Sequence, residues 1–114
     1  MAAAQGDAKA QSYLGILYAR GSGVSQNDQE AAKWFHKAAV KGDVKAQFSL
    51  GVMYDAGRGV AKNHVVACAW YTLAAENGDR AAQNFKEAIQ QKMTTDEIEM
   101  SQQIAEQLRS TIAD

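Results

Sequence analysis

The 114-residue sequence predicts a single all-α domain in which antiparallel helix pairs stack into a solenoid. Two observations support this prediction: the glycines recur at a fixed spacing, and the apolar residues between them recur at helical spacing. All nine glycines fit one spacing of 36 residues, since they lie at 6, 42 and 78, at 15 and 51, at 21 and 57, and at 23 and 59. Aligned in this way, residues 6–41 and 42–77 share 16 identities, which indicates an internal repeat.

Each unit begins with a predicted helix, called helix A. Its apolar residues are spaced three or four apart, as on one face of a helix. They are Ala10, Leu14, Leu17 and Tyr18 in the first unit and Ala46, Leu50, Met53 and Tyr54 in the second. Gly21 and Gly57 follow these residues and are expected to close the helix, because a glycine takes the left-handed conformation at little cost.

Two glycines in the middle of helix A predict close packing between helices. Gly15 and Gly51 each cost about 1 kcal/mol relative to alanine, so their recurrence indicates that a larger side chain would collide with a neighbour. Trp34 and Trp70 are the predicted neighbours. We assign the repeated aromatic residues to the core rather than to a ligand site.

A second predicted helix, helix B, follows a short loop in each unit. Asn27 and Asn63 stand where an N-cap is needed, and Glu30 lies three residues after Asn27, in the register of a capping box. Apolar positions recur at Ala31, Trp34, Phe35 and Ala38, and at Ala67, Trp70, Tyr71 and Ala74. Helix B is expected to stop at Gly42 or Gly78.

The two ends of the chain depart from the complete units. Residues 1–5 align with the last turn of helix B, so we expect a remnant of an earlier helix B from a longer array. Residues 78–92 indicate a degenerate third helix A, and residues 93–114 a C-terminal capping helix with a polar outer face. Thr94 and Glu97 form a predicted capping box at the start of this helix. The alternative is that this amphipathic helix binds a partner.

The repeated string is specific enough to indicate a family. It reads G-D-x-K-A-Q-x-x-L-G-x-x-Y-x-x-G-x-G-V, then N-x-x-x-A-x-x-W-(F/Y)-x-x-A-A, and it resembles the SLR (Sel-one-like repeat) family. The resemblance implies a right-handed, tetratricopeptide-like superhelix. Tetratricopeptide repeats differ in having a period of about 34 residues and a proline near the end of the unit. Family members often act as adaptors, so the resemblance implies a non-enzymatic protein–protein interaction module.

Composition and charge exclude several other classes of function. The chain has 12 basic and 13 acidic residues, which gives no general electrostatic attraction to nucleic acid or to an anionic membrane. No apolar run approaches the roughly 18 residues needed to span a bilayer. As given, the chain is expected to be soluble and cytoplasmic, or periplasmic or secreted if a signal peptide stood upstream.

Residues that could carry catalysis or bind a metal are few. His64 and Cys68 lie one helical turn apart, which provides at most half of a metal site, and no third ligand is apparent. The Gly-x-Gly pairs lack the strand and third glycine of a phosphate-binding loop. We therefore predict no enzyme activity, no catalytic residues, no metal and no cofactor.

The positions of helix A that differ between the units mark the candidate binding surface. By resemblance to tetratricopeptide arrays, helix A would build the concave wall. The residues lining it would be Lys9, Ser12, Ile16, Ala19 and Arg20, then Lys45, Phe48, Val52, Asp55 and Ala56, with Asn84, Ala88 and Gln91 as an extension. Basic edges and an apolar floor suit an extended peptide or a partner helix that carries an acidic group and an apolar anchor. The alternative is that Ile16 and Phe48 only pack between helices.

Two rival functions remain. The exposed terminal helices could associate with a second copy and form a structural scaffold or homo-oligomer. Cysteine-rich members of the broader family have been associated with β-lactam binding or hydrolysis, but this chain has only Cys68.

Overall fold

The computed structural model describes residues 7–113, and these residues form six α-helices and no strand. The helices are α1 (Ala8–Arg20), α2 (Asp28–Ala39), α3 (Val44–Ala56), α4 (His64–Glu76), α5 (Arg80–Gln90) and α6 (Thr95–Ala113). Helices α1, α3 and α5 correspond to helix A, and α2 and α4 to helix B. The expected remnant at 1–5 lies outside the described residues.

The predicted N-caps of helix B are confirmed, but the capping box is not. The side-chain oxygens of Asn27 and Asn63 each accept a hydrogen bond of 3.1 Å from the backbone N–H three residues later. The backbone N–H of Asn27, which a capping box would pair with Glu30, instead donates to the carbonyl of Tyr18 at 2.9 Å. The Glu30 carboxylate lies 3.4 Å from Lys33 Nζ. The loop is thus tied back to helix A of its own unit.

Aspartates cap the three A helices, a role that the sequence reading had not assigned. Asp7, Asp43 and Asp79 are the N-caps of α1, α3 and α5, and each carboxylate accepts a backbone N–H from the first turn. The repeated Gly-Asp pair therefore lies at the turn between units, where the aspartate caps the start of the next helix A. The predicted closure of α1 and α3 is confirmed, since Gly21 and Gly57 are left-handed C-caps.

The mid-helix glycines do mark close packing, but the predicted neighbours were wrong. A Cβ at Gly15 would lie 2.7 Å from the ring of Phe35, and one at Gly51 would lie 2.5 Å from the ring of Tyr71. The aromatic residue after each tryptophan, rather than the tryptophan, therefore faces helix A. The two rings fill equivalent places in the two units.

The two tryptophans have different environments, although they occupy the same position in the repeat. Trp70 is 2% exposed and lies in the main core, the buried apolar cluster formed by α2, α3, α4 and α6. The His36 ring lies edge-on to it, at 6.1 Å between ring centroids. Trp34 is only half-buried, and Lys37 Nζ lies 4.5 Å from its ring centroid. Burial of this aromatic position thus differs between the units.

The loop of the second unit packs directly on the first unit. Arg58 donates to both carboxylate oxygens of Asp28, at 2.9 and 3.4 Å. Gly59 has φ of +73°, and a Cβ there would collide with the Asp28 carbonyl, so both conformation and space require glycine. This contact joins the start of α2 to the α3–α4 loop.

Helix α6 covers α4, its main neighbour. The predicted capping box is confirmed: the Thr94 backbone N–H donates to Glu97 Oε1 at 2.8 Å, and the Glu97 N–H donates to Thr94 Oγ1 at 3.1 Å. On the inner face of α6, Ile104, Ala105, Leu108 and Ile112 belong to or pack on the main core. The same helix is tied to α4 by a two-bond ion pair from Arg109 to Glu76, at 2.8 and 3.0 Å.

Replacing Thr94 with alanine is expected to destabilise the protein by about 1 kcal/mol, because the first turn of α6 loses the side-chain acceptor of its capping box. Urea unfolding followed by circular dichroism measures the change. Thr95→Ala, at the next and exposed position, is the matched control and should change the free energy of unfolding by no more than about 0.5 kcal/mol. Equal losses in both variants would contradict this role for Thr94.

Candidate interaction surface

Three grooves border the A helices α1, α3 and α5, and the surface that they line is called the helix-A surface. The first groove is lined by Lys9, Ser12, Tyr13, Ile16, Asp43, Val44 and Lys45. The second is lined by Ala19, Phe35, Phe48, Ser49, Val52, Met53 and Arg58. The third is lined by Asp55, Asn84, Phe85, Ala88, Ile89 and Lys92. Seven of the eight principal site residues predicted from the sequence line one of these grooves.

The first groove brings together four of the predicted residues from α1 and α3. Lys9 and Lys45 are exposed, so both ammonium groups are available at the edge of the groove. Ile16 is half-buried and packs against the main core, while Ser12 is only 6% exposed. The groove thus has basic edges and an apolar floor, but Ser12 offers little surface to a partner.

The second groove is mainly apolar and contains Phe48 and Val52, which are both half-buried. The Phe48 ring lies 5.9 Å from the ring of Tyr71 and 5.1 Å from that of Phe85, measured between centroids. Phe48 therefore packs between helices and also lines the groove. Whether Phe48 also contacts a partner stays a prediction.

Arg20 is the one principal predicted residue that lines none of the three grooves among the described residues. It is the last residue of α1 and is exposed. Of the secondary positions, Ala19 lines the second groove, and Asn84 and Ala88 line the third. Ala56 and Gln91 line none of them.

In the third groove, Asp55 is held by residues of α4. The Tyr71 hydroxyl donates to Asp55 Oδ2 at 3.1 Å, and His64 Nε2 lies 3.6 Å from Asp55 Oδ1. Burial raises the pKa of Tyr71 well above its usual range, and the adjacent Asp55 carboxylate raises it further. The hydrogen bond from Tyr71 fixes the position of the Asp55 carboxylate.

The His64 and Cys68 pair does not extend into a larger ligand set. Cys68 is fully buried in the smaller core formed by α3, α4 and α5, whereas His64 faces Asp55. Over residues 7–113, no group of three or more histidine, cysteine, aspartate or glutamate side chains is arranged to hold a metal ion. In the same part of the chain, no helix has the length and apolar character needed to cross a membrane.

One position of the repeat, not identified from the sequence, contributes a residue to each of the three grooves. Tyr13, Ser49 and Phe85 are equivalent residues of the three units, separated by one repeat length each, and each lines a different groove. Tyr13 is 60% exposed and Phe85 is 43% exposed, so two aromatic rings lie open on this surface. Extending the comparison between units to this position could have identified it, because the three residues differ.

Comparison with known proteins establishes the class. The sequence model of the Sel1 repeat family matches residues 8–43 and 44–79, and the chain belongs to this family. The matched units have the same 36-residue length as 6–41 and 42–77, displaced by two residues. No curated protein sequence matches the chain.

Two solved structures are particularly similar. One is c5321, a protective antigen present in uropathogenic Escherichia coli strains that displays an SLR fold, with a TM-score of 0.91 and 31% identity over 98% of this chain. The other is a Sel1 repeat protein from Oxalobacter formigenes, with a TM-score of 0.75 and 40% identity over 76% of this chain. The chain spans 25% of the first protein and 65% of the second. The fold is thus a tetratricopeptide-like helical solenoid, as the sequence predicted.

Proposed function

We propose that the chain is a non-enzymatic protein–protein interaction module that holds an extended peptide or a partner helix along the helix-A surface. Proteins of the Sel1 repeat family typically mediate protein–protein interactions and are typically not catalytic. The finer assignment of the binding face rests on one observation: three consecutive grooves follow α1, α3 and α5 and combine apolar floors with charged edges. Such a combination suits a partner with an apolar anchor.

The first groove supports a preference for acidic partners. Lys9 and Lys45 stand at its edges, while the Asp43 carboxylate accepts the Ala46 N–H at 2.9 Å and caps α3. The two ammonium groups can therefore bind an acidic side chain whose apolar neighbour packs on Ile16. Exposed charges of this kind contribute mainly to the rate of association and to specificity.

Reversing both lysine charges, with Lys9→Glu and Lys45→Glu in one protein, is expected to weaken partner binding by about tenfold. The probes are peptides selected from a random displayed library on the unmodified chain, and fluorescence anisotropy measures their affinity. Lys33→Glu with Lys62→Glu is the matched control, because both lysines are exposed and lie outside the three grooves. Equal loss of affinity in the control protein would remove the case for this surface.

A photo-crosslinking residue provides a second test that leaves the charges unchanged. Placed at Tyr13, which is 60% exposed in the first groove, it should capture the bound peptide. Placed at Met100, which is 53% exposed on α6, it should not. Phe48 is a poorer choice for such tests, since its ring packs against Tyr71 and Phe85 and its removal would also affect stability.

A further inference from the structure

Asp55, which lines the third groove, belongs to a polar arrangement that has no equivalent in the first unit. Asp55 accepts a hydrogen bond from Tyr71 and faces His64, and the counterparts of these three residues one repeat earlier are Ala19, Phe35 and Asp28. Phe35 packs against Gly15 as Tyr71 packs against Gly51, so the helix contact does not need the hydroxyl group. The hydroxyl and the carboxylate are therefore additions to an arrangement that already packs without them.

The Asp55 carboxylate is held in place and remains partly accessible. Its Oδ2 accepts the hydrogen bond from Tyr71, and about a third of the side chain is exposed, with a relative exposure of 32%. His64 Nε2, at 3.6 Å from Oδ1, is the nearest cationic group when protonated. A carboxylate fixed in this way can accept further hydrogen bonds from a ligand without being reoriented.

Phe85 provides an aromatic surface in the same groove. Its ring is 43% exposed and is held edge-on by two others, at 81° to the ring of Phe48 and 69° to the ring of Tyr71. Ala88 and Ile89 complete an apolar lining. A ring beside a fixed carboxylate suits a planar cation, which can stack on the ring and donate parallel hydrogen bonds to the carboxylate.

We propose that the third groove is a subsite for an arginine side chain of the partner, with the guanidinium group bound by Asp55 and stacked on Phe85. The proposal names a partner residue for the helix-A surface and so rests on the proposed function. It also gives the bound chain a direction, because the first groove would hold an acidic residue and the third a basic one. Lys92 also lines the third groove, and its positive charge is expected to weaken the binding of a cation there.

The test uses N-acetyl-arginine amide as the probe, titrated into the labelled protein while the backbone amides of Asn84, Phe85 and Ala88 are followed by NMR. We expect saturable shifts with arginine, weaker ones with N-acetyl-lysine amide, and none at these amides with N-acetyl-norleucine amide. Asp55→Asn removes the charge but leaves an oxygen that can accept the hydrogen bond from the Tyr71 hydroxyl. This variant should bind the arginine probe about fivefold more weakly. Lys92→Ala should strengthen binding by about twofold.

A second variant protects the test against loss of folding. Asp55→Ala with Tyr71→Phe copies the Ala19 and Phe35 arrangement of the first unit, so it should remain folded and still lose the arginine shifts. Equal shifts with the norleucine probe, or unchanged affinity in Asp55→Asn, would overturn the arginine subsite. That result would leave the peptide test with Lys9 and Lys45 unaffected, so the two proposals can fail separately.

Discussion

Replacing Trp70 with alanine is expected to destabilise the fold by about 3–5 kcal/mol, the largest effect of any single substitution considered. Trp70 is 2% exposed, packs within the main core and contacts His36 of the first unit. Its removal leaves a cavity where the two units meet, and the surrounding helices can close it only in part. Urea unfolding followed by far-ultraviolet circular dichroism measures the loss.

Trp34→Ala is the matched control, since it makes the same change at the equivalent position of the first unit. Trp34 is half-buried, with Lys37 Nζ 4.5 Å from its ring centroid, so the expected loss is about 1–2 kcal/mol. Losses of equal size at the two positions would contradict the difference in burial between them.

Replacing Gly51 with valine is expected to destabilise the protein by about 2–3 kcal/mol, because even the first added carbon meets the buried ring of Tyr71. The ring has no room to retreat, since Tyr71 is fully buried in the smaller core and its hydroxyl is bonded to Asp55. The same denaturation assay measures the change.

Two further variants show whether the collision is the cause. Ala56→Val, at the exposed end of the same helix, should cost no more than about 0.5 kcal/mol, which is the lower helix propensity of valine alone. In a Tyr71→Ala background, Gly51→Val should cost at least about 1 kcal/mol less than in the unmodified protein. If the losses of stability from Gly51→Val and Tyr71→Ala were additive, the Tyr71 ring would not be what excludes a larger side chain at position 51.

Much of the fold follows from the sequence because each helix terminus depends on nearby residues. Gly21 and Gly57 end α1 and α3, and Asn27 and Asn63 start α2 and α4, as predicted. The aromatic neighbour of Gly51 could not be predicted from nearby residues in this way. Trp70 and Tyr71 are adjacent and differ by about 100° around helix B, so the residue that faces helix A depends on how the two helices rotate against each other. Local sequence signals do not fix that rotation.

The candidate surface was only partly predictable for a related reason. Comparing the units identified one face of helix A, and seven of the eight principal residues do line grooves. The division into three grooves depends on how the helices stack, as does the exposure of Phe85 beside Asp55. Arg20, the exposed last residue of α1, lines none of the three grooves, and its contact with a partner stays a prediction.

The position of α6 bears on how cooperatively the protein unfolds. In a solenoid each unit normally contacts only its neighbours, so unfolding can proceed from one end in steps. Here α6 lies on α4, and its Ile112 methyl group is 3.7 Å from where a Cβ of Gly42 would stand, at the turn between α2 and α3. One helix thus supports the second unit and its junction with the first. Loss of α6 would weaken both regions at once, which couples the unfolding of the two repeats.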